Sequence, residues 1–129
     1  MRTQLLTIRP IIEEATTDKA NPMEHFQNET LRPILKFQHD LLIQVMSSYI
    51  VKRKGEFYKT PIKGRPKYLE EAVRKDLRFK AMLQGLIVGL FSESEYTFYN
   101  NNEAELSRRI TDLLVQRFRS QVDVFVETI

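Results

Sequence analysis

The chain has 129 residues, a net charge of +3, no cysteine, and 42% hydrophobic against 29% charged residues. The lack of cysteine excludes disulfides, thiolate nucleophiles and cysteine-ligated zinc. Four glycines and five prolines are too few for a turn-rich all-β fold. The composition therefore favours a single helical domain, residues 1–129, which is large enough to bury a hydrophobic core without disulfides or a bound metal ion.

The N-terminal segment, residues 1–20, has apolar residues near helical spacing between Thr3 and Asp18. Arg9 and Pro10 interrupt this pattern, so the segment lacks the long apolar core of a signal peptide and we expect a cytoplasmic protein. Pro10 either kinks a helix or opens a second one. The pattern leaves open whether residues 1–20 pack on the domain or dock loosely.

Two helix starts follow along the chain. Asn21, Pro22 and Glu24 have the order of an N-cap, a first-turn proline and a capping acid. After Thr30, apolar residues at steps of three and four from Leu31 to Tyr49 predict the most regular amphipathic helix. Lysine and arginine in its last turn suit the helix dipole, and Gly55 is a left-handed stop.

The principal loop, residues 55–65, lies within a basic segment, residues 52–67, that holds seven cations against one anion, Glu56. Phe57, Tyr58 and Tyr68 are interleaved with them. Clustered cations displace counterions from nucleic acids and aromatic rings stack on unpaired bases, so RNA, DNA or another polyanion is a candidate partner. The alternative is a basic helix end followed by a solvated loop. The seven cations are Lys52, Arg53, Lys54, Lys59, Lys63, Arg65 and Lys67.

Pro66 opens a helix with a narrower apolar stripe, from Tyr68 to Leu77, and Asp76 marks a break before the next helix. The most apolar segment, residues 78–91, follows, and we expect it to form a central helix buried on several sides. Its uncharged run has about half of the roughly 20 residues of a membrane-spanning helix, so we expect no membrane partner. Gly85 and Gly89 have a spacing that favours close packing of a neighbouring helix, within the bundle or across a dimer. The residues expected in the core are Leu35, Leu42, Met82, Leu86, Leu113 and Phe118.

Two helix-capping patterns lie in the last third of the sequence. Ser92 and Glu95 fit a capping box, with Phe91 and Tyr96 as a hydrophobic staple, so a short helix is predicted over residues 93–99. Asn102 with Glu105 then predicts the start of a final amphipathic helix, whose apolar stripe runs from Leu106 to Phe125.

Chemistry-bearing residues are sparse in this sequence. His25 and His39 are the two histidines, and on one continuous helix they would lie roughly 20 Å apart, too far to share a metal ion. No Glu-x-x-His, nucleophile elbow or glycine-rich phosphate loop occurs. We therefore expect no catalytic residue, no metal site, no cofactor and no small-molecule ligand.

Four stretches of the sequence carry a resemblance: HFQNETLRPILKFQHDLL, KRKGEFYK, KDLRFKAMLQGLIVGLF and ELSRRITDLLVQRFRSQ. Together they resemble an uncharacterised family of short all-helical bacterial proteins, some of whose members are labelled glyoxalase. The resemblance spans residues 23–121 and implies a helical fold. Glyoxalase I enzymes are similar to one another in paired βαβββ modules with His and Glu metal ligands, which this sequence lacks, so no functional residue is carried over.

The sequence thus predicts an all-α, single-domain bundle of five to six helices. Because no catalytic set is present, the leading hypothesis is a non-enzymatic interaction or regulatory protein that acts through a helical face, as a homodimer or with another protein. The second hypothesis is polyanion binding through residues 52–67. The third is an enzyme, for which His39 and Asp40 are the first residues to test.

Overall fold

The computed structural model describes residues 2–10 and 21–125, and within these ranges every regular element is helical. Shorter 3₁₀ turns cover Arg2–Ile8, Ile62–Gly64 and Val122–Val124, and a π-turn covers Gln27–Leu31. The prediction of an all-α fold is confirmed. The α-helices are α1 (Pro22–Phe26), α2 (Arg32–Phe37), α3 (His39–Lys52), α4 (Glu56–Lys59), α5 (Arg65–Lys75), α6 (Leu77–Val88), α7 (Glu93–Asn101) and α8 (Glu103–Ser120).

The described residues contain eight α-helices, more than the five to six predicted, because two predicted elements are subdivided. The helix predicted from Leu31 breaks at Gln38, whose backbone angles (φ −86°, ψ 1°) leave the α region. The basic loop also contains the single-turn helix α4. At the end of α3 the chain reverses through Lys54 and Gly55, both at positive φ, which confirms the left-handed stop.

Side-chain caps set three of the helix starts as predicted. Asn21 accepts from the N–H of Glu24, Asp76 accepts from that of Phe79, and Ser92 with Glu95 forms a complete capping box. These caps satisfy N–H groups that have no partner inside their own helices. The breaks predicted at Asp76 and Ser92 are therefore confirmed.

Two details of the predicted caps are wrong. The amide of Asn102 donates to the carbonyl of Phe98 (2.9 Å) and makes no cap bond to α8, because it closes the end of α7 instead. The Phe91 ring packs against Tyr99, at 5.7 Å between centroids, while Tyr96 is exposed. The rings that close over the turn are thus Phe91 and Tyr99.

The core forms around α8, which contributes seven buried residues and packs against both α5 and α6. Burial of Leu35, Leu42, Leu113 and Phe118 is confirmed. The buried residues of α8 are Leu106, Ile110, Thr111, Leu113, Leu114, Val115 and Phe118.

Helix α6 is less enclosed than the sequence predicted. Only one face is buried, through Phe79, Leu83 and Ile87. Met82 has 52% of its surface exposed and Leu86 is half-buried, so their assignment to the core is corrected. Helix α6 packs against α5 and α8, and its other side, which includes Met82, is left exposed.

Residues 2–10 dock on the turn between α6 and α7 through two arginines. Arg2 donates to the carbonyls of Phe91 (2.8 Å) and Gly89 (2.7 Å). Arg9 donates to the carbonyl of Leu90 (2.7 Å) and to both oxygens of Glu95 (2.6 Å each). Guanidinium groups suit these positions because the carbonyls at a helix C-terminus lack partners and carry partial negative charge.

The rest of the N-terminal prediction, residues 11–20, lies outside the described residues. In the described part, no helix is both long and apolar enough to cross a bilayer.

Burial on α6 gives a direct test of this fold. Replacing Leu83, which is fully buried, with Ala should lower the free energy of unfolding by about 2–5 kcal/mol, because apolar contacts are lost and a cavity remains. Leu77→Ala is the matched control on the same helix: Leu77 is 73% exposed, and its loss should change stability by about 0.5 kcal/mol or less. Urea unfolding followed by circular dichroism measures both, and equal effects would contradict the burial pattern.

Candidate functional site

The carboxylate of Asp76 joins α3 to the start of α6. Its Oδ1 accepts from the N–H of Phe79 (3.1 Å), and its Oδ2 accepts from the hydroxyl of Tyr49 (3.0 Å) and pairs with Arg53. The Phe79 N–H, aided by Tyr49 and Arg53, holds the pKa of Asp76 below its ordinary value of 3.8. Burial, with Asp76 as hydrogen-bond acceptor, raises the pKa of Tyr49. One ionised side chain thus fixes how α3 and α6 meet.

An apolar groove lies between α3 and α6. The Tyr49 and Phe79 rings stack at its floor, with centroids 4.0 Å apart and planes 24° from parallel. Leu41 and Met82 stand on its walls with 41% and 52% of their surfaces exposed. The groove has a volume of about 370 Å³, and its lining residues are Leu41, Gln44, Val45, Ser48, Tyr49, Lys52, Phe79 and Met82.

The outward side of α6 adjoins this groove; Arg78 is exposed at its start, and from Ala81 onward it bears no charge. Ala81, Met82, Gly85 and Gly89 are exposed, and the sequence from Ala81 to Phe91 contains no ionisable side chain. We call these four exposed residues the α6 face. Amphipathic surface helices normally turn charged and polar residues to solvent, so this face differs from an ordinary solvated surface.

The two glycines have different roles. A Cβ at Gly89 would lie 2.9 Å from the carbonyl oxygen of Gly85, so the turn that ends α6 itself requires glycine there. A Cβ at Gly85 would meet nothing within 4 Å. The prediction that Gly85 permits close packing inside the bundle is therefore wrong for the described chain, and packing across a dimer stays a prediction.

Three of the seven cations predicted to bind a polyanion are used within the fold. Arg53 pairs with Asp76. Arg65 donates to the carbonyls of Tyr58 (3.1 Å) and Thr60 (3.2 Å), with its guanidinium 5.1 Å from the centre of the Phe57 ring. The third cation, Lys67, lies 3.9 Å from Glu71.

The remaining four cations, Lys52, Lys54, Lys59 and Lys63, are exposed and form no ion pair with the described residues. The aromatic part of the prediction is corrected for Phe57, which is fully buried and whose ring packs edge-on against Tyr68, at 5.3 Å between centroids. Phe57 therefore cannot stack on a base, whereas Tyr58 and Tyr68 are half-buried. The cations that the fold leaves without an ion pair among the described residues are these four lysines.

The two histidines have separate environments. Nδ1 of His39 lies 2.9 Å from a guanidinium nitrogen of Arg117, while Nδ1 of His25 is buried and has no hydrogen-bond partner among the described residues. Asp40 is exposed. The part of the chain that the structure describes contains no cluster of three His, Cys, Asp or Glu side chains able to hold a metal ion.

Comparison of the chain with family models, with curated proteins and with solved structures found no match. The resemblance to the family of short helical bacterial proteins stays a prediction. Function is therefore argued from geometry alone.

Sequence reasoning missed Leu41 and the exposed position of Met82. Both were read as members of buried stripes, and an apolar residue on the solvent side of a helix gives the same spacing signal as one on the core side. The one usable signal was the uncharged run from Ala81 to Phe91, which is too long to be explained by a single buried face.

Removing the Asp76 carboxylate should weaken the junction between α3 and α6. Asp76→Ala should cost about 0.5–2 kcal/mol of stability at neutral pH, because the N-cap of α6 is lost. Asp76→Asn should retain most of this stability, since Asn caps nearly as well. Urea unfolding at several pH values measures both variants.

The pH dependence of this effect follows from the lowered pKa of Asp76. A carboxylate with a lowered folded-state pKa stabilises the fold above its unfolded value and loses that contribution as pH falls through the folded value. The difference in the free energy of unfolding between the native chain and Asp76→Ala should therefore be full at neutral pH and should shrink below pH 3.8. A gap that stays constant down to strongly acidic pH would contradict the role of the charge.

Proposed function

We propose that this chain is a non-enzymatic interaction protein that self-associates through the α6 face and the adjoining α3–α6 groove. The observation that carries the proposal is the exposed, uncharged side of α6, which includes a glycine that no contact within the described chain requires.

The α6 face and the adjoining groove expose apolar surface to water. Met82, Leu41 and half-buried Val45 line one continuous depression beside the α6 face. Burying such surface is favourable by about 25 cal/mol for each Å² removed from water. Apolar side chains around a groove are typical of a surface that receives another helix.

Gly85 within α6 lowers the stability of the isolated chain. Glycine within a helix costs about 0.5–1 kcal/mol relative to alanine, because the unfolded chain loses more freedom on folding. Open space at Gly85 means that alanine would fit in the isolated chain. The cost of glycine is offset if a second helix approaches its backbone closely.

The shape of the α6 face indicates which partner it fits. In a two-fold symmetric interface the same surface patch meets itself, so a side chain on one copy must find a hollow on the other. The α6 face offers both within one turn, the projecting Met82 side chain and the bare backbone at Gly85. The four residues of the α6 face carry no charge, and the cations beside them are Arg78, one turn before Met82, and Lys52, which lines the groove. A second copy of this chain is therefore the occupant that we propose.

A charge placed on the α6 face should break the dimer. Met82→Glu should raise the dissociation constant of the dimer about tenfold or more, because a carboxylate would be buried without a partner. Ile62→Glu is the matched control, since Ile62 is a comparably exposed apolar residue (76%) on a different segment. Sedimentation equilibrium over a range of protein concentrations measures the constants, and a native chain that stays monomeric through the micromolar range would refute the proposal.

Gly85→Ala separates self-association from helix stability. In the monomer, alanine should raise the free energy of unfolding by about 0.5–1 kcal/mol. The same methyl group should weaken the dimer, since it fills the space that the second copy needs. A variant that is both more stable and equally dimeric would remove Gly85 from the interface.

A second candidate function, polyanion binding, is favoured by the four lysines that remain exposed and unpaired among the described residues, Lys52, Lys54, Lys59 and Lys63. Lysine side chains neutralise phosphates as point charges and release counterions. Because Phe57 is buried and Tyr58 and Tyr68 are half-buried, this binding would rest mainly on charge and depend strongly on salt.

Charge removal at these lysines tests the second candidate. If all four contact phosphates, the change to Gln should lower the log–log salt slope for single-stranded RNA by about 3, at about 0.7 for each contact. The charge-matched control replaces Lys36, Lys75, Lys80 and Arg78, all outside the basic segment, with Gln and should retain most of the slope. Fluorescence anisotropy between about 50 and 200 mM salt measures it, and equal losses in both variants would exclude a specific lysine site.

A further inference from the structure

A second group of basic side chains lies where α8 passes α2, and none of its members belongs to the basic segment. Two grooves meet here and share Arg32, Leu113 and Gln116. The larger groove, about 590 Å³, is also lined by Arg74 of α5 and by three of the four arginines of α8, together with Glu70 and Asp112. The smaller pocket, about 300 Å³, is lined by Arg32, Leu35, Leu113, Gln116, Arg117 and Ser120.

Apart from Arg32, the arginines of the larger groove are paired within the fold. Each of these four lies within 3.5 Å of at least one carboxylate oxygen: Arg74 of Glu70 and Asp112, Arg108 of Glu105 and Asp112, Arg109 of Glu105, and Arg119 of Glu70. Three carboxylates thus offset most of the charge of these four arginines. The pairs of Arg74 with Asp112 and of Arg119 with Glu70 join α5 to α8.

The smaller pocket has a different balance, because no Asp or Glu lines it. Arg32 donates through Nε to Asn28 (3.0 Å), and Arg117 donates to Nδ1 of His39 (2.9 Å), so neither bond cancels a charge. Arg32 and Arg117 form no ion pair with the described residues. Both side chains are only partly exposed.

Two guanidinium groups are therefore held together without a counter-charge. Burial lowers the pKa of Arg117, and the charge of Arg32 lowers it further, which records the mutual repulsion of the pair. A guanidinium group has donors and no acceptor, so the neutral nitrogen of His39 accepts the bond and His39 orients Arg117. An arrangement of like charges in a partly dry pocket is relieved when an anion binds between them.

We propose that the pocket between α2 and α8 is a binding site for a phosphate group, held by Arg32 and Arg117. Guanidinium forks donate two parallel hydrogen bonds to phosphate oxygens. A phosphate monoester carries about −1.5 to −2 charges at neutral pH, which matches two arginines better than the single charge of a carboxylate does. The amide of Gln116 supplies a further donor at the same opening, and the apolar walls, Leu35 and Leu113, strengthen the charge interaction by excluding water.

Inorganic phosphate is the probe for this site. Titration at constant ionic strength, followed by the Nε–H resonances of the arginines in ¹⁵N-edited NMR spectra, should shift the signals of Arg32 and Arg117 in a saturable way. Arg32→Gln and Arg117→Gln should each weaken phosphate binding about tenfold or more, the usual result of losing a charge-assisted hydrogen bond. Acetate, titrated in parallel, should bind more weakly than phosphate.

Arg119→Gln is the matched control, because Arg119 lies on the same helix but is paired with Glu70, and it should retain phosphate affinity within about twofold. Arg32→Lys keeps the charge without the fork and should show intermediate affinity, and the circular dichroism of every variant verifies that it folds. Three results would overturn the proposal: no saturable shift in the millimolar range, an equal loss in Arg119→Gln, or acetate binding as tightly as phosphate. This site shares no residue with the α6 face, so its failure leaves the proposed self-association standing.

Discussion

The junction between α3 and α6 depends on one carboxylate, that of Asp76. Asp76 is the single non-helical residue between α5 and α6. Its carboxylate caps α6 and accepts from Tyr49 of α3 and from Arg53, which directly follows α3. The α3–α6 groove and the stack of Tyr49 on Phe79 lie beside this junction, so a local polar contact joins the two helices that line the groove.

The same bundle carries two kinds of surface that differ in how their polar groups are satisfied. Around α6 the unusual feature is a lack of charge, whereas around Arg32 and Arg117 it is charge without compensation. The arginines next to the second surface show the ordinary solution, in which guanidinium and carboxylate groups pair across α5 and α8. The contrast within one helix, α8, separates structural arginines from those available to a ligand.

Much of the fold could be predicted from the sequence, because caps and breaks are local. Asn21, Asp76, Ser92 and Gly55 each act within a few residues, and the structure confirms all four. Which side of α6 is buried could not be predicted, since Met82 and Leu83 differ only in what other helices cover. For the site, composition located the basic segment but could not show that Arg53 and Arg65 are used internally, because their partners depend on packing.

The docking of residues 2–10 has a consequence for the order in which the fold assembles. Arg9 and Glu95 are 86 positions apart, whereas most of the helical hydrogen bonds join residues within one turn. Contacts between distant positions form slowly, since a long loop must close first. Residues 2–10 can therefore dock only once the turn between α6 and α7 has formed, because the carbonyls and the carboxylate that Arg2 and Arg9 contact lie in and beside that turn.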